Sequence, residues 1–427
     1  MTRAQRQQAP RVGQPFARRV PGVGFWIAAI GILVLGTQSV HAATFQVSGT
    51  LQYQDRLWDK NGYTGTTANR PIRQADVEVV NSGTSAVVGT GFTNVSGQFT
   101  ISVTSTVNIS LYVRVLTRTN LSPNYQITVL NDASMGSIHA GVTGTFPNHN
   151  PNTNLNVGTW LFGDADGFGV GQAFNVLDCG VDVYDWLAQP QVLNRYPTVF
   201  EFVQIQWSTT VNAPGSFYSG QFVNISSPVS GDTDGWSDSV ILHELGHYVA
   251  DMFHQDDNTG GQHFLGDSFQ DPRLSYGEGY ATYLCGEVRE RRAVANGSDT
   301  HVSLYADLAM PPALPTAGSL EFSYDFETGL LGNGTSLGQI GQANETNITS
   351  AMWDLHDGPA TPDESAAVDD DAIDGDGGDV WDVLLNYMEP LPFADIITFE
   401  DFVQGWKTVH GAAYQAAELD FILNTLN

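Results

Sequence analysis

The sequence predicts an α+β protein of more than one domain, in which an N-terminal β-sandwich is followed by a mainly α-helical part. Three observations predict it. From Thr44 to about Thr119 apolar residues alternate with polar ones at a period of two, and turn residues separate the runs. From Gln172 onward the apolar residues recur at helical spacing instead. The chain is 427 residues long and 41% hydrophobic, which suffices for two or three domains with real cores.

Residues 1–42 are set apart first. Arg3, Arg6, Arg11, Arg18 and Arg19 occur with no acidic residue, an apolar run follows from Val23 to Gly36, and Val40-His41-Ala42 precedes Ala43. A basic region, a short apolar region and a small-residue cleavage site make a signal peptide. The alternative is an uncleaved membrane anchor, for which the apolar run is short. No later stretch is apolar enough to span a membrane, so the expectation is a chain processed near Ala43, without a transmembrane anchor, secreted or periplasmic. Removing the five arginines leaves 12 basic against 46 acidic side chains, a formal charge of −34, with Lys60 and Lys407 the only lysines. Such a surface repels nucleic acid and anionic lipid, so neither is an expected partner. Cys179 and Cys285 are open to two readings, one disulfide or two buried thiols.

In the first module, 43–119, Phe45, Val47 and Leu51 alternate with polar neighbours, as do Val77 and Val79. Gly97 turns the chain before Phe99, Ile101 and Val103, and Leu111 to Val115 forms another strand. Val47-Ser48-Gly49, Pro71 to Val77 and Thr93 to Phe99 together resemble the transthyretin-like or carboxypeptidase-regulatory-like modules of secreted enzymes. No residue here has a catalytic look, and a detachable spacer or adhesion role is expected. Residues 120–170, with Pro147, Asn148, Asn150, Pro151 and Asn152, are expected to be an irregular linker.

The remaining domain, 171–427, begins with a helix carrying Phe174, Leu177, Val181, Tyr184 and Leu187, then a strand through Val203, Ile205 and Trp207. Helices are expected near 237–253 and 277–293, and a last one from about Phe399, with Thr398 and Asp401 at capping-box spacing.

The chemistry concentrates in Val240 to Val249, which contains His243-Glu244-Leu245-Gly246-His247. On a helix the two histidines stand one turn apart and reach one metal ion, and Glu244 beside them can take a proton from a metal-bound water. Zinc suits imidazole ligands in a tetrahedral site that keeps one position for water. The plain alternative is a helix with two core histidines. A third histidine at HxxGxxH spacing is absent, because Ala250 and Phe253 occupy those positions and His254 is out of register. Glu278, in Tyr276-Gly277-Glu278-Gly279-Tyr280-Ala281, supplies a carboxylate thirty-one residues after His247.

These two segments resemble the gluzincins, the thermolysin-like and aminopeptidase-like zinc peptidases, in which a Glu on a following helix is the third ligand. The resemblance implies one catalytic zinc on His243, His247 and Glu278, Glu244 as general base, and a protein or peptide substrate cut by a Glu-activated zinc-bound water. A GxMEN-like segment, by which the aminopeptidase branch holds a free amine, is absent, which points to an endopeptidase. Ala351 to Asp357 and Thr398 to Trp406 are similar to tail segments of bacterial surface-associated metallopeptidases. His356 is the expected oxyanion donor, with Tyr276 and Tyr280 as alternatives and a core histidine as the plain reading. Asp164, Asp166, Asp369, Asp370, Asp371, Asp374, Asp376 and Asp379 offer oxygen ligands for calcium, against the alternative of solvated acidic loops. The rival to the enzyme is a surface-binding protein on a retired peptidase scaffold, and the intact Glu244 argues against retirement.

Overall fold

The computed structural model describes residues 41–59, 62–131, 137–163, 169–189, 202–210, 215–227, 233–255, 257–263, 265, 267, 269–296, 303–306, 322–326, 341–356, 377–391 and 396–411. The segment read as a signal peptide lies outside them, apart from His41 and Ala42, and so do all the calcium candidates except Asp379.

The described chain is a mixture of helices and several sheets. It opens with β1 (Ala43–Asp59), β2 (Gly62–Pro71), β3 (Asp76–Asn81), β4 (Val87–Phe92), β5 (Gln98–Ser105), β6 (Ile109–Leu116), β7 (Ile127–Leu130), β8 (Ala140–Val142), β9 (Phe146–His149) and β10 (Leu155–Phe162). The first sheet is built on the long β1. Its N-terminal half pairs antiparallel with β5, its C-terminal half with β2, and its stretch from Val47 to Tyr53 runs parallel to β10. The second sheet runs β4-β3-β6-β8, with β9 also on β6. Period-two patterning has its usual consequence: Phe99, Ile101 and Val103 of β5 point inward while Gln98, Thr100, Ser102 and Thr104 face out.

Residues 120–170 depart from the expected linker, since β7 to β10 all lie there. Of the Asn- and Pro-rich stretch that suggested irregular chain, Pro147 and Asn148 lie in β9, and Asn150, Pro151 and Asn152 form the turn to β10, where Asn150 Oδ1 accepts from the Asn152 N–H at 3.0 Å. β7, Ile-Thr-Val-Leu, is buried at every position and so shows no alternation. It leaves the first two sheets and pairs in parallel with β11 (Val203–Gln206), in a third sheet ordered β12-β13-β11-β7, where β12 is Phe217–Tyr218 and β13 is Val223–Asn224.

The helices are α1 (Gly171–Leu187), α2 (Asp238–Phe253), α3 (Pro272–Asn296), α4 (Glu345–Asp354), α5 (Gly377–Val383) and α6 (Phe399–Val409), with a small hairpin, β14 (Ser303–Ala306) and β15 (Phe322–Asp325), between α3 and α4. At the start of α6, Asp401 Oδ2 accepts from the Thr398 N–H at 2.9 Å. Among the described residues no helix is long and apolar enough to cross a membrane. Cys179 and Cys285 are buried and not disulfide-linked.

One contiguous set of buried apolar residues runs from Phe45 on β1 to Trp406 on α6. The N-terminal sheets are therefore no detachable spacer. Asp178, Asp182 and Asp185 repeat along one face of α1, and Arg73, from the β2–β3 turn, contacts them at 2.6, 2.6 and 3.2 Å. Tyr53 of β1 donates to Asp178 Oδ2 at 2.9 Å. Loss of residues 44–119 would uncover that core and take Arg73 away from these three carboxylates, of which Asp178 and Asp182 are buried. Arg292 of α3 carries the network onward to Asp182 and to Asp238 at the start of α2. α2 and α3 lie so close that a Cβ on Gly246 would sit 2.8 Å from the Ala281 Cα and 2.9 Å from its carbonyl oxygen. Only glycine fits there, and this close crossing sets the distance between the histidines of α2 and the carboxylate of α3.

Candidate metal centre

His243 and His247 project from one face of α2, with rings perpendicular and centroids 4.8 Å apart. Their Nε2 atoms are 3.2 Å from each other, and each is 3.1 Å from Glu278 Oε2. Three donor atoms thus form a nearly equilateral triangle. Around a tetrahedral zinc ion at the usual 2.0–2.1 Å, donor atoms stand about 3.3 Å apart, so the set fits such an ion closely. The second contact of His243 supports the same reading. Its Nδ1 is 2.9 Å from Thr282 Oγ1, one turn beyond Glu278 on α3, and donation of the Nδ1–H to that hydroxyl leaves the Nε2 lone pair facing the triangle. Asn258 Nδ2 donates to Glu278 Oε1 at 3.0 Å and fixes the carboxylate plane.

Electrostatics separate the two glutamates. Burial opposes ionisation of Glu278, but His247, His243 and His263 outweigh it and hold the carboxyl well below its ordinary range. At Glu244 burial wins over the same histidines and pushes the carboxyl up. A carboxylate held ionised suits a ligand; one whose proton affinity is raised suits a base.

His243, Glu244, His247 and Glu278 line one cleft of about 530 Å³. Its other walls include Ser216 to Gly220, comprising β12 and its flanks, together with Asp251, Asn258, Gly260, Gly261 and His263. β12 is the edge of the third sheet among the described residues, so its outer backbone groups are available to an extended chain. Tyr218 of β12 donates to Asp251 Oδ2 at 2.6 Å.

His356 is not at this site. It is buried, with Nδ1 2.9 Å from Glu287 Oε2 and Nε2 2.9 Å from Glu290 Oε2. Glu287 lies nine residues beyond Glu278 on α3, about 13 Å along the axis at the rise of an α-helix. The expectation that His356 donates to an oxyanion is therefore corrected: it follows a helix, as the sequence indicated, but that helix points it at the far end of α3. Tyr276 and Tyr280 are also absent from the cleft walls; the Tyr276 hydroxyl donates to the Met388 sulfur at 3.4 Å, and Tyr280 stacks edge-on against His254 at 4.7 Å. Tyr218 and His263, which do line the cleft, sit on an edge strand and a loop, and no local spacing announces them. Asp379, the one described calcium candidate, has its carbonyl 2.9 Å from His410 Nε2.

No protein-family model matches the sequence, and no curated protein does. Among solved structures it is similar to the precursor of protealysin, a metalloproteinase from Serratia proteamaculans, at 12% identity over 71% of this chain and 87% of that one, with a TM-score of 0.39. It is also similar to a 9R-lipoxygenase from Cyanothece PCC8801 at 14% identity and a TM-score of 0.18, over 38% of this chain and only 26% of the lipoxygenase. Neither TM-score reaches the level at which two folds correspond.

Proposed function

We propose that this chain is an exported, zinc-dependent endopeptidase of gluzincin type, with an N-terminal transthyretin-like β-sandwich that forms part of the catalytic body. The observation that carries the proposal is the convergence of His243 Nε2, His247 Nε2 and Glu278 Oε2 beside the buried Glu244, in a cleft edged by a strand. His243, His247 and Glu278 would hold the ion, which supplies Lewis-acid polarisation when bound. Glu244 takes the proton of the attacking water, and its raised proton affinity lets it keep that proton until the leaving amine accepts it. The edge of β12 orients an extended peptide across the cleft by backbone hydrogen bonds, which favours cleavage within a chain. Export is read from the basic-then-apolar leader of residues 1–42.

The test is Glu244→Gln. Elemental analysis should find about one tightly bound zinc in both forms, while turnover of casein or an internally quenched peptide falls roughly 10²- to 10⁴-fold in the variant, as loss of a general base predicts. Undiminished turnover in the variant, or no zinc in a folded wild-type chain offered zinc, would reject the assignment; a zinc-binding but inactive wild type would favour the retired scaffold.

A further inference from the structure

His263 approaches the metal triangle from a different direction. Its Nδ1 is 3.0 Å from the Gly261 carbonyl, which can only accept, so Nδ1 carries a hydrogen. Its Nε2 then faces two carboxylates, Glu278 Oε2 at 3.3 Å and Glu345 Oε2 at 3.5 Å. A bare nitrogen between two carboxyl oxygens calls for a proton or a cation among them. One N–H shared by both oxygens would be a three-centre bond, and 3.5 Å to Glu345 is long for its second arm. Glu345 Oε2 is in fact left without a hydrogen-bond partner, although the residue is only 3% exposed. A divalent cation serves all three atoms together, and the two measured separations match those expected around such an ion.

The surroundings hold this second set in place. Glu345 is the first residue of α4, whose preceding Asn344 caps the helix and donates through Nδ2 to the carbonyls of Leu265 and Asp267 at 3.2 and 3.1 Å, tying down the loop that carries His263. A Cβ on Gly279 would lie 2.9 Å from the Glu345 carbonyl oxygen and 2.8 Å from the Ile348 Cβ, so glycine beside Glu278 lets α4 bring its carboxylate to the site. The three donor atoms lie within 4.8 Å of one another.

We infer that His263, Glu345 and Glu278 form a second divalent-cation site next to the first, with Glu278 shared as a bridge between two ions. The inference rests on the assignment of His243, His247 and Glu278 as the first site. The second ion binds more weakly, because one of its ligands is shared and His263 is partly open to solvent.

The full chain, stripped with chelator, is titrated with Co²⁺ and followed by electron paramagnetic resonance, with parallel Zn²⁺ stoichiometry by elemental analysis. The expected result is two equivalents at saturation, with the cobalt signal rising through the first and falling through the second as the bridged ions couple. Glu345→Gln and His263→Ala, singly and together, should keep the first equivalent and lose the second along with the fall in signal. Saturation at one equivalent overturns the second site and leaves the first intact. A second equivalent whose signal simply adds to the first, or one that survives the double variant, also overturns it by placing that ion elsewhere, for instance at Asp379, Asp382 and His410. Binding of no cation overturns both sites.

Discussion

Two histidine–carboxylate clusters hang on α3, one around Glu278 and one around Glu287, and they use the same residue types for opposite ends. At Glu278 two imidazoles turn their Nε2 atoms toward one oxygen, and His243 anchors its other nitrogen on the neutral Thr282 hydroxyl. Those donor atoms border the cleft. At Glu287 a single imidazole has a carboxylate on each nitrogen, Glu287 on Nδ1 and Glu290 on Nε2, and the Trp186 N–H and Tyr283 O–H complete the shell of Glu287. Burial opposes protonation of His356, but the two carboxylates outweigh it and raise its pKa well above the ordinary value of 6.5. That cluster is an ion pair that has its own proton as cation. What decides between a metal ligand and a salt bridge is the partner on the far nitrogen.

The contrast is broken most severely at His247. His247→Ala should abolish zinc retention and bring hydrolysis down to the metal-free background, with the fold intact, as dialysis followed by elemental analysis would record. Retention of a full equivalent would mean the two clusters had been assigned the wrong way round.

His356→Ala should do the reverse, with zinc content unchanged and stability reduced by about 3 kcal/mol, the scale for breaking a buried ion pair. The pH dependence of that loss identifies the pair. Because the folded pKa of His356 lies above 6.5, its contribution is complete below pH 6.5 and fades as pH rises through the raised value. Burial opposes ionisation of Glu287 too, but His356 and its other partners hold its pKa below 4.5, so its share is present above pH 4.5 and lost on further acidification. Urea denaturation of wild type and variant should therefore differ most between pH 4.5 and 6.5. A difference independent of pH would make His356 a packing residue only.

The smallest effect is expected at Thr282. Thr282→Val keeps the shape and removes the acceptor for the His243 Nδ1–H, which should weaken zinc 10- to 100-fold in competition with a chelator, the usual scale for a group that orients a ligand. An unchanged affinity would show that packing alone fixes the tautomer.

The parts of this architecture that were legible in the sequence are those whose geometry is local. His243 and His247 are one helical turn apart whatever surrounds them, and Glu278 is marked by its own helix. The alternation of Phe99, Ile101 and Val103 displays β5 without reference to its partners. His356 was misplaced because a histidine after a helix is visible in sequence while the direction of that helix is not. Tyr218 and His263 meet the cleft through an edge strand and a tethered loop, and Glu345 reaches His263 through a close helix contact, none of which leaves a period or spacing. β7 was hidden for the related reason that a strand buried on every side has no alternation to read.

That strand bears on how the chain acquires its fold. β7 finds its partner β11 about seventy-five residues later, and between the two the chain goes back to complete the first two sheets with β8, β9 and β10. A nascent or refolding chain therefore cannot finish its first sheets, set them aside and begin again. Ile127 to Leu130 is bonded on one side to the nearby Thr117 and Thr119, but its other side must wait until Val203 to Gln206 emerges, a non-local parallel pairing of the kind that forms slowly and aggregates readily in the interval. The same pairing makes assembly of the cleft a late event. All four strands of that sheet precede α2 in the chain, so a product cut back from the N-terminus through β7 would keep the histidine helix but lose the strand on which the sheet bordering it closes.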